Sequence, residues 1–253
     1  MTLKNSESKK EFIDIHETTS DKSGFLGFLE RTLRRHKTMT YLFFYLLVVF
    51  VCLSCLSFSF LPLVIILRSV FFIFAESSIL VSSLMISLGI GLGVFLFIPM
   101  LLISTVFFNW LNPFRIKAWK GNWYSVNGIP WFYHNSLFYL VRYSVLDFIT
   151  PSPIAIWYLK AMGMKIGKGT LINTSNISDP CLIELGDYVT IGGSVTLMAH
   201  YGQKGILILS PTVIKNKAMV GLKSSIFGGV TIEEGAVVKP HEVILPKSVV
   251  TKE

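Results

Sequence analysis

The sequence predicts a membrane α-helical hairpin followed by an all-β, left-handed parallel β-helix of hexapeptide repeats. Three observations carry this expectation. Aliphatic residues recur every six positions at Ile214, Val220, Ile226, Ile232, Val238 and Ile244, a period that β-helix hexads produce and that ordinary helices and strands do not. Residues 41–67 and 77–111 carry no charge, and each run exceeds the ~20 residues a helix needs to cross a bilayer. Between these regions lies a belt dense in Trp, Tyr and Phe, the side chains that favour a membrane–water boundary. The implied organisation is a basic tail with an amphipathic helix (1–38), two transmembrane helices (39–112), aromatic interfacial helices (113–162) and the β-helix (163–253).

Residues 1–23 are polar and mixed in charge, which predicts a flexible tail. No apolar core follows the start closely enough for a signal peptide. In residues 24–38, Phe25, Leu26, Phe28, Leu29 and Leu33 stand beside Arg31, Arg34, Arg35 and Lys37, a pattern suited to a helix lying on an anionic membrane surface. Pro62 is expected to kink the first long helix, and Gly89, Gly91 and Gly93 would let the second approach a neighbour closely. Basic residues flank the hairpin on its outer sides, with only Arg68 near the connection. The positive-inside tendency then places both termini and the β-helix in the cytosol. The same location explains the net charge of +8 without nucleic acid, for which no recognition element is present. In the aromatic belt, helices are expected at 135–148 and 154–162. Arg142 there either snorkels to the headgroups or meets a phosphate of a lipid or acyl donor.

Within the repeats, the position four after each aliphatic residue is small or β-branched at Ala218, Ser224, Val230 and Ala236, and Glu242 is the misfit. Gly221, Gly228, Gly229 and Gly235 suit sharp corners where φ is positive. The register also runs upstream through Ile166, Ile172, Leu185, Ile191 and Leu197, with Val189 and Val195 between. It breaks at 177–182 and at 198–213, and breaks of this kind are loops leaving the coil, where function tends to sit. Three cysteines make no disulfide framework. Cys52 and Cys55 lie in an apolar helix and read as packing residues. Cys181, with no basic neighbour in sequence, reads as a small core or loop residue.

From Trp123 onward the chain resembles a known family. The segment Tyr158-Leu159-Lys160-Ala161-Met162-Gly163-Met164-Lys165-Ile166-Gly167 carries the likeness, followed by Ile177-Ser178-Asp179-Pro180-Cys181-Leu182-Ile183-Glu184-Leu185-Gly186-Asp187, His200, residues 207–210 and Val220-Gly221. These are similar to the membrane-bound hexapeptide-repeat transferases, in particular the tandem C-terminal domains of ε-poly-lysine synthetase and related non-ribosomal peptide synthetase-like proteins. The sequence departs from that family beside the histidine, with Ala199 before it and Tyr201-Gly202-Gln203 after it, and it holds a single copy of the unit. The resemblance implies an acyltransferase that takes an acyl or aminoacyl group from acyl-CoA or a phosphopantetheine carrier protein. It also implies a homotrimer with sites between subunits.

Transfer from a thioester needs a base for the acceptor and a donor for the oxyanion. His200 is the histidine at a break in the coil, and imidazole ordinarily titrates near cellular pH, so His200 is the expected base. Asp179, Glu184 and Asp187 are candidates to orient it, and Tyr201 or a backbone N–H near Gly192-Gly193 could serve the oxyanion. Lys215, Lys217 and Lys223 could line a phosphopantetheine arm, or form a plain solvated face. A metal-dependent chemistry on this fold would need three histidines, and the repeats offer only His200 and His241, so no metal is expected. A non-catalytic membrane-anchored scaffold is the alternative.

Overall fold

A computed structural model describes residues 16–113 and 115–252. The first fifteen residues, including most of the expected tail, lie outside the described residues. The chain opens with α1 (Gly24–Arg35), α2 (Lys37–Ile73) and α3 (Ile79–Leu111). Strand β1 (Trp119–Asn122) leads to α4 (Ile129–Val141), a π turn (Arg142–Leu146), α5 (Asp147–Ile149) and α6 (Pro153–Ala161).

Helices α2 and α3 are long and apolar enough to cross a membrane. Only 11% and 22% of their most apolar windows are buried, whereas a core helix of a soluble protein would be mostly covered. They pack on each other along Gly89 and Gly93: a Cβ on Gly93 would lie 2.3 Å from Leu63 Cδ1, and one on Gly89 would lie 3.2 Å from Ile66 Cγ2. Gly91 meets nothing within 4 Å, so two of the three expected glycines form the small-residue seam. Ser59 Oγ and Ser104 Oγ meet across it at 3.4 Å. Cys55 is buried there and Cys52 partly so, both as free thiols. Pro62 lies inside α2, which continues to Ile73.

Helix α1 is amphipathic as expected, with Phe25, Leu26 and Phe28 exposed. Its other face carries the buried Glu30, which takes Arg34 at 2.8 Å, Lys22 at 3.5 Å and the Ser125 hydroxyl at 3.0 Å. The Ser125 bond docks α1 on the turn before α4.

The aromatic belt has a packed face and an exposed one, the latter carrying Tyr143, Phe148 and Trp157. Helix α4 starts at Ile129, six residues earlier than expected, because Pro130 is preorganised for a helix start. Trp131, Leu137, Phe138 and Val141 are all buried, and Phe138 stacks on Tyr158 of α6 at 6.0 Å. Arg142 does not snorkel: its guanidinium donates to Ile177 O at 3.1 Å, Ser178 Oγ at 3.3 Å and Asn176 Oδ1 at 3.1 Å. Helix α6 begins one residue before the expected start, where Ser152 Oγ accepts from Ala155 N.

The repeats form a parallel β-helix. Its first coil holds β2 (Lys165–Ile166) and β3 (Leu171–Ile172); its second holds β4 (Ile183–Leu185), β5 (Thr190–Ile191) and β6 (Thr196–Leu197). A hairpin, β7 (His200–Gln203) and β8 (Ile206–Leu209), then leaves the coil. Strands β9 (Thr212–Ile214), β10 (Met219–Val220), β11 (Ser225–Ile226), β12 (Thr231–Ile232), β13 (Val237–Val238), β14 (Val243–Ile244) and β15 (Val249–Val250) complete it. Three parallel faces result, β2-β4-β9-β12-β15, β3-β5-β10-β13 and β6-β11-β14. Eighteen residues separate Ile214 from its partner Ile232's position, one full coil. The hexad residues Ile214, Val220, Ile226, Ile232 and Val238 are at most 2% exposed. The small residues Ala218, Ser224, Val230 and Ala236 are fully buried between them.

The corners differ from expectation in one respect. Positive φ recurs every six residues at Lys217, Lys223, Gly229, Gly235, His241 and Lys247. Gly221 and Gly228 instead avoid collision with the adjoining coil, a Cβ there lying 2.5 Å from Pro240 N and 2.8 Å from Ala199 C.

His134 ties α4 to α3 through Nδ1 and Asn109 Oδ1 at 2.8 Å. Burial pushes its pKa down to about 4, with the Asp179 charge partly opposing. The unfolded chain therefore binds a proton between about pH 6.5 and 4 that the folded chain refuses, and stability falls as pH drops through that window. His134→Gln should flatten the pH dependence of unfolding in detergent over this range by on the order of 3 kcal/mol, measured by denaturant titration at stepped pH.

Candidate active site

The two breaks in the hexad register meet at one point. Residue Asp179 stands in the first break and His200 opens the second. His200 Nδ1 lies 2.5 Å from Asp179 Oδ2. Asp179 is fully buried, and its carboxylate receives three further hydrogen bonds. Trp131 Nε1 donates to Oδ1 at 2.7 Å, Asn135 Nδ2 to Oδ1 at 2.9 Å and Ala199 N to Oδ2 at 3.0 Å. Asn135 Oδ1 in turn accepts from Asp179 N at 3.2 Å.

Local sequence explains how Asp179 reaches this place. Its φ of 59° is left-handed, a conformation that Asp tolerates better than most residues. The left-handed residue turns the chain out of the first coil into a short 3-10 turn, Pro180–Leu182. Tyr139 Oη meets Ser178 Oγ at 2.8 Å, and Arg142 holds 176–178 as described above. Trp131, Asn135, Tyr139 and Arg142 are spaced by four, four and three residues, so one face of α4 and its π turn grips residues 176–179.

His200 sits at the start of the β7–β8 hairpin. That hairpin is extended by β1, which pairs antiparallel with β8 from Trp119↔Leu209 to Asn122↔Ile206. Leu207 and Leu209 bury their side chains with Trp131 against Trp119, Trp123 and Phe132. The Trp131 ring also meets the His200 imidazole edge-on, 5.1 Å between centroids. The histidine is thus fixed on one edge by a carboxylate and on its face by an indole, while 21% of its side-chain surface stays accessible.

Burial alone would raise the Asp179 pKa. The hydrogen bond and charge of His200, with the bonds from Asn135 and Trp131, outweigh it and hold the carboxyl below its usual range. An ionised acceptor at Nδ1 favours the tautomer with the proton on Nδ1, leaving Nε2 with a free lone pair. Cys181, two residues on, is the opposite case. Burial first, and the Asp179 charge second, push its thiol up to about 12, so it is an inert packing residue.

The remaining sequence candidates lie elsewhere. Glu184 faces out from β4 and pairs with Lys165 at 2.9 Å. Asp187 is a corner residue whose Oδ1 accepts from Lys168 N at 2.6 Å. Neither is placed to orient His200, because alternation along a short strand or a tight corner turns them to solvent. Tyr201 follows His200 on β7 and so projects from the other face of that strand. Gly192 N–H is already given to Val220 O at 2.8 Å. Lys215 pairs with Glu233 at 2.6 Å and Lys217 approaches Glu234 at 3.9 Å. Lys223 has no ion pair among the described residues. No cluster of three metal-ligating side chains occurs among the described residues. Trp131 and Asn135 were not singled out as site residues in the sequence; the available signal was the polar run His134-Asn135-Ser136 within an apolar helix, with Asn135 one turn after Trp131.

No family model matches the chain, and no curated protein does. Among solved structures, it is similar to a hexapeptide-repeat-containing acetyltransferase from Vibrio cholerae, at 18% identity over 47% of this chain and 85% of the other, with a TM-score of 0.36. It is similar to a galactoside acetyltransferase in complex with coenzyme A, at 20% identity over 47% and 76%, TM-score 0.35. A maltose O-acetyltransferase from Clostridium difficile matches at 19% identity over 54% and 89%, TM-score 0.27.

Asp179→Asn offers an amide where two or more donors converge. It should swap the His200 tautomer, read by nitrogen NMR of histidine-labelled protein, and cost about 1–3 kcal/mol of stability. In the wild type the contribution of the Asp179 carboxylate is present above its unfolded value and is lost as pH falls through the depressed folded value. The variant should lack that acid-side decline.

Proposed function

We propose that this chain is a membrane-anchored acyltransferase in which His200 is the general base and Asp179 its positioning residue. The observation that carries the reading is the buried carboxylate with four donors, one of them His200 Nδ1. Besides tying α4 and the hairpin to the first break, the arrangement holds the imidazole by Nδ1 and leaves Nε2 free to accept a proton. In the reaction, Nε2 takes the proton of an acceptor amine or hydroxyl as its nitrogen or oxygen attacks the thioester carbonyl. The tetrahedral oxyanion collapses, the C–S bond breaks, and the imidazolium returns the proton to the departing thiolate. The acyl group ends on the acceptor and the thiol is released. No cofactor is consumed beyond the thioester, acyl-CoA or a phosphopantetheine carrier protein.

Of the three lysines expected to line a donor arm, Lys223, exposed at a left-handed corner, is the one with no ion pair among the described residues. Lys215 and Lys217 are occupied by Glu233 and Glu234. Tyr201 is turned away and Gly192 N–H is already bonded, which leaves Gly193 N–H, or a donor from a second copy in a homotrimer with clefts between prisms, to serve the oxyanion. Helices α2 and α3 would span the bilayer, with α1 on its surface through Phe25, Leu26 and Phe28, and with both termini and the β-helix on the cytosolic side.

His200→Ala should lower acyl transfer roughly 10²–10⁴-fold in protein that still folds, with stability lowered by about 1–3 kcal/mol because the buried Asp179 carboxylate loses one donor. Wild-type turnover by that variant would leave the scaffold reading standing. Independently, a cysteine placed in the connection between α2 and α3 should react with a membrane-impermeant reagent in intact cells, and one placed at Lys252 should not.

A further inference from the structure

Between the hairpin and α4 lies a cavity of about 510 Å³, within the range of pockets that hold drug-sized ligands. Its walls are Tyr45 and Val48 of α2, Phe108 of α3, and Trp123, Phe132 and Ser136 around α4. The lining is almost wholly apolar. Three features distinguish it from a packing gap. It is formed partly by the exposed flank of a helix long and apolar enough to cross a membrane. Its inner wall touches the site: the Phe132 ring lies 4.9 Å from Trp131, and Trp131 lies 5.1 Å from His200. Its rim is cationic, with Lys37 Nζ 5.3 Å from the ring of Tyr124, itself a lining residue.

A site that is apolar within, basic at the mouth and open beside a membrane-length helix fits one kind of occupant. We infer that the cavity takes the hydrocarbon chain of a membrane lipid whose headgroup carries an amine or hydroxyl, and that this lipid is the acyl acceptor. The inference rests on the acyltransfer reading above. The general base must lie beside the acceptor's nucleophile. An acceptor with its tail behind Phe132 and its head rounding Trp123 would deliver that nucleophile to the Trp131–His200 side. A water-soluble thioester donor has no need of a cavity beside the hairpin and would approach along the coils.

The test uses the full chain in phosphatidylcholine nanodiscs. One probe is phosphatidylethanolamine with a diazirine in its acyl chain; the other is a diazirine fatty acyl-CoA. After irradiation, the lipid probe should cross-link chiefly to residues 44–48 and Phe132. Val48→Trp and, as a second filling variant on the more exposed flank, Leu47→Trp should each reduce that labelling at least fivefold. His200→Ala should label as the wild type does. Even labelling over the exposed flanks of α2 and α3, labelling unaffected by either tryptophan, or preferential labelling by the acyl-CoA probe would overturn the assignment. Turnover separates the two readings. Cavity labelling without acyl transfer to phosphatidylethanolamine or diacylglycerol would keep the lipid site and remove the acceptor role. Equal transfer to long-chain lipid and to a short-chain soluble analogue would remove the need for the cavity.

Discussion

A carboxylate with no access to solvent must be supplied with donors, and at Asp179 that requirement organises the molecule. Desolvating an ion costs several kcal/mol unless hydrogen bonds replace the lost water. Here four do, and they come from separate parts of the chain: Trp131 and Asn135 from α4, and Ala199 and His200 from the start of the hairpin. Removing any one leaves a buried lone pair on a charged group. The helix, the first break and the hairpin are therefore fixed relative to one another by electrostatics as much as by apolar packing. The imidazole inherits that rigidity.

The same helix connects this centre to the apolar hairpin. One side of α4 grips the first break through Trp131, Asn135 and Tyr139, continued by Arg142. The other side is bonded to α3 through His134 and Asn109 and through Tyr133 Oη and Phe108 O. Glu30 extends the connection to α1. A β-helix standing on a flexible linker would need none of these bonds. Their number makes the helical hairpin and the prism one unit.

Below this junction the prism is regular. Aliphatic hexad residues fill its axis, small residues sit between them, and left-handed corners recur every six residues, three of them lysines. That regularity explains why two of the three lysines of the expected cradle are taken up by ion pairs. Lys215 and Lys217 lie where adjoining coils place Glu233 and Glu234 one rise away. Polar chemistry is left to the two places where the register fails.

The parallel β-helix, the two long apolar helices and the place of His200 at a break were legible in the sequence because each has a local signature. A six-residue aliphatic period admits one kind of coil, uncharged runs admit long apolar helices, and a register break marks a loop regardless of what the loop touches. Asp179 and His200 were both found as residues at breaks. Asp179 was one of three acidic candidates to orient His200, and nothing in the sequence separated it from Glu184 and Asp187. Only the stacking of the second coil on the first brings Asp179 to His200 while turning Glu184 and Asp187 to solvent. The roles of Trp131, Asn135 and Arg142 were likewise settled by tertiary structure. Periodicity shows which side of a helix is apolar, but whether an asparagine or an arginine on it meets water, lipid or a buried carboxylate depends on what packs against that side.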